Sequence, residues 1–168
     1  MNDGSASSYD VVVRVADRVN AKYYPMLLPV LCPTAEQRPD WLAQDHIKPI
    51  FDRAKTAGAT FVGVGNIGPT SPIFVDGFVS KTDVDDLLHK GGTGEMLSWI
   101  FDKNGKMIDC DINRRVTSVE LSPEPEKPVI AMAAGAMKVE AIMGAMRSRL
   151  ITKLITNEYT AELILSSD

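Results

Sequence analysis

The stretch VIAMAAGAMKVEAIMGAM, residues 129–146, changes its hydrophobic period halfway along. Residues 129–133 form a short apolar run of the kind that lies buried in a parallel sheet. Beyond Ala134-Gly135, the apolar residues recur at the three- and four-residue spacing of a helix. The stretch therefore predicts a buried strand, a tight glycine turn and a helix in direct succession.

Lys138 falls in the first turn of that predicted helix, where the partial positive charge of the helix N-terminus disfavours a cation. An anion shared between Lys138 and the exposed backbone N–H groups near Gly135 and Ala136 would remove this conflict. A glycine turn combined with a lysine is a common phosphate site. The alternative is a solvated lysine whose aliphatic stem packs on its neighbours, and the residue pattern leaves both interpretations open.

Strands and helices alternate along the rest of the chain. The pattern predicts strands at 60–64 and 154–156, and helices at 81–89 (opened by Ser80 or Thr82) and 158–165 (opened by Asn157). It also predicts a helix over 10–22, an irregular strand over 23–31, a helix over 41–57 interrupted near Pro49, and a hairpin around the turn at 102–105. This alternation indicates one α/β domain with a mainly parallel sheet and helices on both faces.

Three glycine-containing segments fall where such a sheet binds ligands, which is beyond the carboxyl ends of its strands. They are Gly65-Asn66-Ile67-Gly68, the cluster at 91–94 that includes Gly94, and Ala134-Gly135. Glycine lets backbone N–H groups approach an anion closely, although tight turns also need glycine for shape alone. Glu95 directly follows the second segment, so its carboxylate is placed to accept hydrogen bonds from sugar hydroxyls, to act as a base, or simply to face solvent.

Composition narrows the class of function. The chain has 168 residues, of which 45% are hydrophobic and 24% are charged, and its formal net charge is −4. Because this balance is acidic and the sequence shows no basic recognition helix, specific DNA binding by this chain is not expected. The isolated residues Cys32, Cys110, His46 and His89 match no metal-ligand spacing, so neither a metal nor a cofactor is predicted. Because no apolar run reaches roughly 18 residues and no signal-peptide pattern opens the chain, a cytoplasmic protein is predicted.

The residues around the predicted phosphate turn also carry a family resemblance. The apolar strand, Ala134-Gly135, Lys138 and the segment LITNEYTAELIL at 154–165 together resemble the C-terminal signature of the SorC-type sugar-binding domain, the effector-binding part of bacterial transcription regulators. Gly63-Val64-Gly65 resembles an internal glycine strand end of that family. The segment at 92–105, with Glu95 and a Phe-Asp-x-x-Gly element, resembles its acidic and glycine motif.

The resemblance implies a Rossmann-like sheet related to sugar-phosphate isomerases and deaminases, and a phosphorylated sugar as ligand. It implies that Lys138 and the backbone around Gly135 hold the phosphate, that Glu95 contacts the sugar, and that Gly65 and Gly94 line the pocket. The implied function is that of an effector-binding domain which controls a carbohydrate-uptake or catabolic operon, acts as a homo-oligomer and performs no chemistry.

Two further interpretations remain open. A sugar-phosphate isomerase or deaminase on the same fold would need a base and a proton shuttle, and the chain offers Glu95 but no histidine near a glycine segment. In the second interpretation, the chain is a degenerate fragment that serves only as an oligomerisation element. Because neither the family's helix-turn-helix nor its early phosphate loop is found, and Asp3-Gly4-Ser5 resembles the end of a mid-domain loop, the resemblance implies a partial domain (residues 1–168) whose regulator contacts DNA through a helix-turn-helix elsewhere.

Overall fold

The structure is a computed structural model that describes residues 11–120 and 122–167. Its helices are α1 (Val11–Val19), α2 (Arg38–Leu42), α3 (Lys48–Thr56), α4 (Pro72–Val75), α5 (Lys81–His89), α6 (Asp111–Arg115), α7 (Val139–Arg147) and α8 (Glu158–Leu165). Its strands are β1 (Thr60–Gly63), β2 (Gly65–Asn66), β3 (Gly92–Met96), β4 (Trp99–Asp102), β5 (Val129–Met132) and β6 (Lys153–Ile155). None of these helices is long and apolar enough to cross a membrane.

A parallel sheet forms in the order β1-β5-β6, with β5 in the centre. Val62, Ala131 and Leu154 occupy matching positions on the three strands, and the first two are buried against Ala141 and Ile142 of α7. The apolar run and the period change at 129–146 thus produce a central strand and the helix that covers it. The predicted α/β fold with a parallel sheet flanked by helices is confirmed.

A second sheet is antiparallel and has the strand order β2-β3-β4. Only Val64 separates β1 from β2, so the chain passes directly from one sheet into the other. The hairpin predicted around residues 102–105 is present only as a short turn, bridged by Phe101 and Met107. A second turn, at Leu97 and Ser98, divides the segment that leads into residue 102, which is the first arm of the predicted hairpin.

That Leu97-Ser98 turn was not predicted, because neither residue is a usual turn former. Their φ angles are 52° and 69°, the two successive positive values of a tight hairpin turn that usually carries Asn-Gly. Two non-glycine residues are held in the left-handed region here because the strands on both sides are paired residue by residue, with Met96 opposite Trp99. Tertiary pairing therefore overrides the local preference.

The strand predicted over 23–31 is wrong. Leu31 forms an isolated bridge with Val116, and the residues before it form no strand. Pro25 and Pro29 have no N–H group, so the segment lacks two of the donors that a sheet edge needs. The carbonyl groups of Pro29 and Val30 instead accept hydrogen bonds from Thr117.

The helix predicted over 41–57 divides earlier than expected. The break falls at residues 43–47, between α2 and α3, and Pro49 lies in the first turn of α3. Proline is tolerated in a first turn because the N–H it lacks would be unpaired there in any case. The helix predicted over 10–22 is present as α1, while Asp10 and the segment Asp3-Gly4-Ser5 lie outside the described residues.

One face of the parallel sheet keeps large apolar side chains exposed. Phe61, Met132 and Ile155 point away from α7 and remain 60%, 45% and 54% exposed. Parallel sheets in proteins are normally covered on both faces. This exposed sheet face is therefore a surface suited to a further apolar contact.

The packing of α7 on the β3–β4 hairpin joins the two sheets. A Cβ atom at Gly94 would stand 2.6 Å from the Phe101 ring and 2.8 Å from the Cβ of Ala141. On the helix side, a Cβ atom at Gly144 is already 3.0 Å from the carbonyl oxygen of Asp102. The two elements approach this closely because neither glycine carries a side chain.

We expect Gly94→Ala to lower the free energy of unfolding by about 1–3 kcal/mol, because the added methyl group overpacks the contact with Phe101 and Ala141. The matched control is Gly63→Ala, where no atom lies within 4 Å of the added Cβ. Urea unfolding followed by circular dichroism measures both. Equal stability of the two variants would contradict this account of the α7–hairpin contact.

Candidate functional site

The candidate site lies where the chain leaves the carboxyl ends of β1 and β5. From β1 the chain continues into Gly65–Asn66, and from β5 it continues through Gly135 into a 3-10 turn, Ala136–Lys138, that runs directly into α7. Strand β2 contacts this turn. The fold thereby brings together two of the three segments that the sequence indicated, at the end of a parallel sheet where ligands bind.

Gly135 gives the turn its shape. Its φ angle of 121° is one that L side chains rarely adopt. Its N–H group donates to the Thr160 hydroxyl at 2.8 Å, and its carbonyl group accepts the Lys138 N–H at 3.0 Å. The Gly135 N–H, which the sequence suggested as an anion donor, is therefore engaged with the protein in this structure.

The free donors at this helix start are the next two N–H groups. The backbone N–H groups of Ala136 and Met137 form no hydrogen bond within the described part of the chain. Ala136 is exposed, and the N-terminal end of the helical segment adds partial positive charge. This is an arrangement that accepts an anion.

Lys138 lies one residue further on and is partly buried. Its ammonium group forms no hydrogen bond or ion pair with another described residue, but its charge acts on the Glu95 carboxylate. A partly buried cation without a close partner, beside two free N–H groups, fits the shared-anion interpretation. The position of Lys138 at the start of the helical segment is as the sequence predicted.

Glu95 lies in β3 directly opposite Gly65. One carboxylate oxygen, Oε2, accepts the Ser98 N–H at 3.0 Å, and the other, Oε1, occupies the space where a side chain at Gly65 would begin. A Cβ at Gly65 would displace the Glu95 carboxylate from this position. The absent side chain of Gly65 creates the place in which Glu95 sits.

Burial raises the pKa of the Glu95 carboxyl above its ordinary value. The hydrogen bond from Ser98 and the positive charge of Lys138 act in the opposite direction without overcoming the effect of burial. The carboxyl is therefore held in an environment that disfavours its charge, and a hydrogen-bond donor from a ligand would relieve this cost.

The predicted glycine segment at 91–94 is not an anion loop. Gly91 forms a turn with a φ of 81°, but β3 begins at Gly92. Gly94 is buried next to Phe101, on the opposite side of the strand from Glu95. Its lack of a side chain is explained by packing. Asn66, partly buried, pairs with Gly94 across the two strands and stays a candidate contact.

Thr160 and Ser98 were missed by the sequence analysis. Thr160 was recognised only as part of the C-terminal motif, and its contact with Gly135 joins residues 25 positions apart. Ser98 was expected inside a strand. The two histidines lie on elements that do not form the site, His46 between α2 and α3 and His89 in the last turn of α5.

A surface cavity of about 480 Å³ lies at the opposite end of the parallel sheet. It is bordered by Thr60 and Val129 at the starts of β1 and β5 and by the charged side chains of Lys55, Glu126 and Lys127. Ligands of open α/β sheets bind at the carboxyl ends of the strands, not at this end. Glu95 and Lys138, at the carboxyl ends, therefore remain the candidate site.

Comparison with known proteins agrees with this fold. A family model described as "putative sugar-binding domain" matches residues 1–166. The erythritol catabolism regulatory protein EryD of Brucella abortus is 29% identical over 161 residues, which is 96% of this chain and 51% of that protein. The chain thus spans about half the length of the curated relatives it matches.

Solved structures show the same fold. The full-length sorbitol operon regulator SorC from Klebsiella pneumoniae superposes with a TM-score of 0.80 at 27% identity, over 89% of this chain and 49% of that one. A DeoR family transcriptional regulator from Listeria monocytogenes superposes with a TM-score of 0.85 at 24% identity, over 90% of this chain and 62% of that one.

The raised pKa of Glu95 predicts a pH-dependent stability. A carboxyl whose pKa is higher in the folded than in the unfolded state binds more protons when folded, so stability falls as the pH rises through the window between the two values. Glu95→Gln imitates the neutral form. We expect it to raise the urea midpoint at pH 7 and to leave it unchanged near pH 4, where the native carboxyl is also protonated.

The control for this experiment is Glu126→Gln, which removes one charge at an exposed site. Urea unfolding of both variants and the native chain across pH 4–8 isolates the effect of burial at Glu95. A gain for Glu95→Gln that is equal at both ends of the range, or absent throughout, would contradict the buried-carboxyl account.

Proposed function

The chain belongs to the family of putative sugar-binding domains, and on that premise we propose that it binds a phosphorylated sugar or polyol as the effector-binding part of a bacterial transcription regulator. The observation that carries this proposal is that the Ala136 and Met137 N–H groups and the neighbouring Lys138 ammonium have no partner among residues 11–120 and 122–167. Three donors, one of them charged, then converge on one phosphate group.

The sugar end of the ligand is proposed to contact Glu95. Its Oε1 atom accepts no hydrogen bond from the described residues, whereas Oε2 is held by Ser98. A hydroxyl group that donates to Oε1 would supply the hydrogen bond that a partly buried carboxylate needs. The charge of Lys138 acts on the Glu95 carboxyl, which supports one small ligand with a phosphate at one end and hydroxyls at the other.

The regulatory role is proposed from the relatives. The names of two of them describe regulators of erythritol catabolism and of a sorbitol operon, both of which concern short polyols. Because the chain matches about half of each relative, contact with DNA is proposed for a part of the regulator outside this chain. This chain would then report the presence of the ligand to that part.

Binding without turnover is proposed over isomerisation or deamination. Either reaction requires a base together with a second group that returns the proton. Glu95 is the carboxylate of the site, and its Oε2 atom is already committed to the Ser98 N–H. Neither histidine lies on an element that forms the site, so no described histidine is placed to act as the second group.

We also propose that the chain self-associates through the exposed sheet face of Phe61, Met132 and Ile155. The strand register places Met132 directly beside Ile155 and Phe61 directly beside Ile130, so the same face of the sheet carries all four apolar side chains, together with Lys153 at its β6 edge. A second copy offers the same surface, and a two-fold axis can therefore cover both at once. The contact would supply the second cover that parallel sheets normally have.

Lys138→Ala should weaken a phosphorylated ligand by roughly tenfold to more than a hundredfold, because it removes one charge-assisted contact. It should leave the unphosphorylated compound almost unaffected. Glu95→Gln should weaken both forms alike. Calorimetric titration with the free and phosphorylated forms of erythritol and sorbitol measures the difference. Lys153→Ala, which removes an exposed lysine at the start of β6, controls for the loss of one positive charge.

An unchanged phosphate affinity in Lys138→Ala would leave the lysine an ordinary solvated residue and would remove the basis of the proposed phosphate site. Conversion of any of these compounds by the native chain, followed by NMR over hours, would instead favour the enzyme interpretation.

Phe61→Asp should shift the chain from a dimer or larger assembly to the monomer at tens of micromolar, because burying a carboxylate within an apolar contact carries a large desolvation cost. The matched control is Val75→Asp on α4, at a side chain that is 68% exposed and belongs to another surface. Light scattering coupled to size exclusion measures the mass. A native chain that is already monomeric would refute self-association through this face.

A further inference from the structure

Thr160 is a buried polar residue that the proposed binding function does not yet use. Its side chain is completely buried, and it lies in the first turn of α8. Its hydroxyl oxygen accepts the Gly135 N–H at 2.8 Å, and its own N–H donates to the Asn157 side chain at 2.9 Å. A buried threonine hydroxyl that accepts a backbone N–H from a different segment fixes the orientation of that peptide group.

These contacts continue into the anion site. The Gly135 carbonyl accepts the Lys138 N–H at 3.0 Å, which closes the turn whose two free N–H groups belong to Ala136 and Met137. Gly135 is thus held through both of the peptide groups that flank its Cα, by Thr160 through its N–H and by Lys138 through its carbonyl group. A glycine with a φ of 121° has no side chain to restrict it, so these hydrogen bonds are what define its conformation.

We propose that Thr160 is the positioning residue of the anion site. Its hydroxyl holds the Gly135 N–H directed into the protein and thereby restricts the φ angle of Gly135. That angle sets the orientation of the next peptide group, so that the Ala136 and Met137 N–H groups and Lys138 are directed at one phosphate. The inference rests on the proposed phosphate site. It adds that the site is set from α8, 25 residues further along the chain, and that Gly135 orients the donors without being one of them.

An alternative role for Thr160 predicts the opposite change in phosphate affinity. If the Gly135 N–H left Thr160 and donated to the phosphate, the Thr160 hydroxyl would compete with the ligand, and its removal would strengthen binding. Under our proposal, removal of the hydroxyl frees the Gly135 peptide to rotate, and the remaining donors lose their alignment. The direction of the change in phosphate affinity therefore separates the two roles.

The test uses inorganic phosphate and the amide signals of the chain in NMR. In the native chain, we expect phosphate to shift the Ala136 and Met137 amide signals, while the Gly135 amide stays protected from hydrogen exchange before and after phosphate is added. Thr160→Val should weaken phosphate by roughly five- to thirtyfold, as expected for the loss of one buried hydrogen bond. Thr160→Ser keeps the hydroxyl and should restore the affinity to within about twofold.

The contrary results distinguish failure of the phosphate site from failure of the positioning role of Thr160. If phosphate shifts no amide signal of the native chain, the proposed phosphate site fails, and this role of Thr160 fails with it. If the native chain binds phosphate but Thr160→Val binds it equally well or more tightly, the positioning role alone is overturned. Because the exchange measurement on Gly135 uses the native chain, loss of its protection on phosphate addition overturns the role even if Thr160→Val does not fold.

Discussion

The close approach between α7 and the β3–β4 hairpin is the constraint on which the rest of the structure depends. Helix α7 follows the central strand of the parallel sheet, and the hairpin belongs to the antiparallel sheet. Their contact has no room for side chains at Gly94 and Gly144, where added Cβ atoms would meet Ala141 and the Asp102 carbonyl oxygen. Interiors packed at this density have few adjustable parts, so the contact fixes the two sheets relative to each other.

The relative positions of Glu95 and Lys138, the candidate ligand-binding groups, follow from that contact. Glu95 is next to Gly94 in β3, and Lys138 immediately precedes α7. When the helix is seated on the hairpin, a carboxylate and an ammonium from opposite sheets are brought within electrostatic reach without forming an ion pair among the described contacts. A buried carboxyl whose charged form is disfavoured is costly for stability, and this is an arrangement expected of a group that binds a ligand.

Local sequence signals predicted helix caps and turns correctly where a few adjacent residues determine the structure. Ser80 caps α5 through a reciprocal bond with Asp83, and Asn157 caps α8 through the Thr160 N–H, as their residue types indicate. Asp102 accepts hydrogen bonds from the backbone of its own turn. The signals failed where distant partners decide: the Leu97-Ser98 turn exists because its flanking strands pair. Before Leu31, by contrast, a local signal was underweighted, because Pro25 and Pro29 lack the N–H groups that a strand would use.

The sequence by itself determined the α/β class, the strand-turn-helix around Gly135 and the placement of Lys138 at a helix start, because hydrophobic period and glycine position are local properties. Only the tertiary structure decided what each glycine is for. Gly94 serves packing, Gly65 makes room for the Glu95 carboxylate, and the Gly135 N–H is bound by Thr160. The sequence does not distinguish a glycine that faces a ligand from one that faces a neighbouring side chain. The difference depends on which atoms from distant parts of the chain lie next to the glycine in the folded structure.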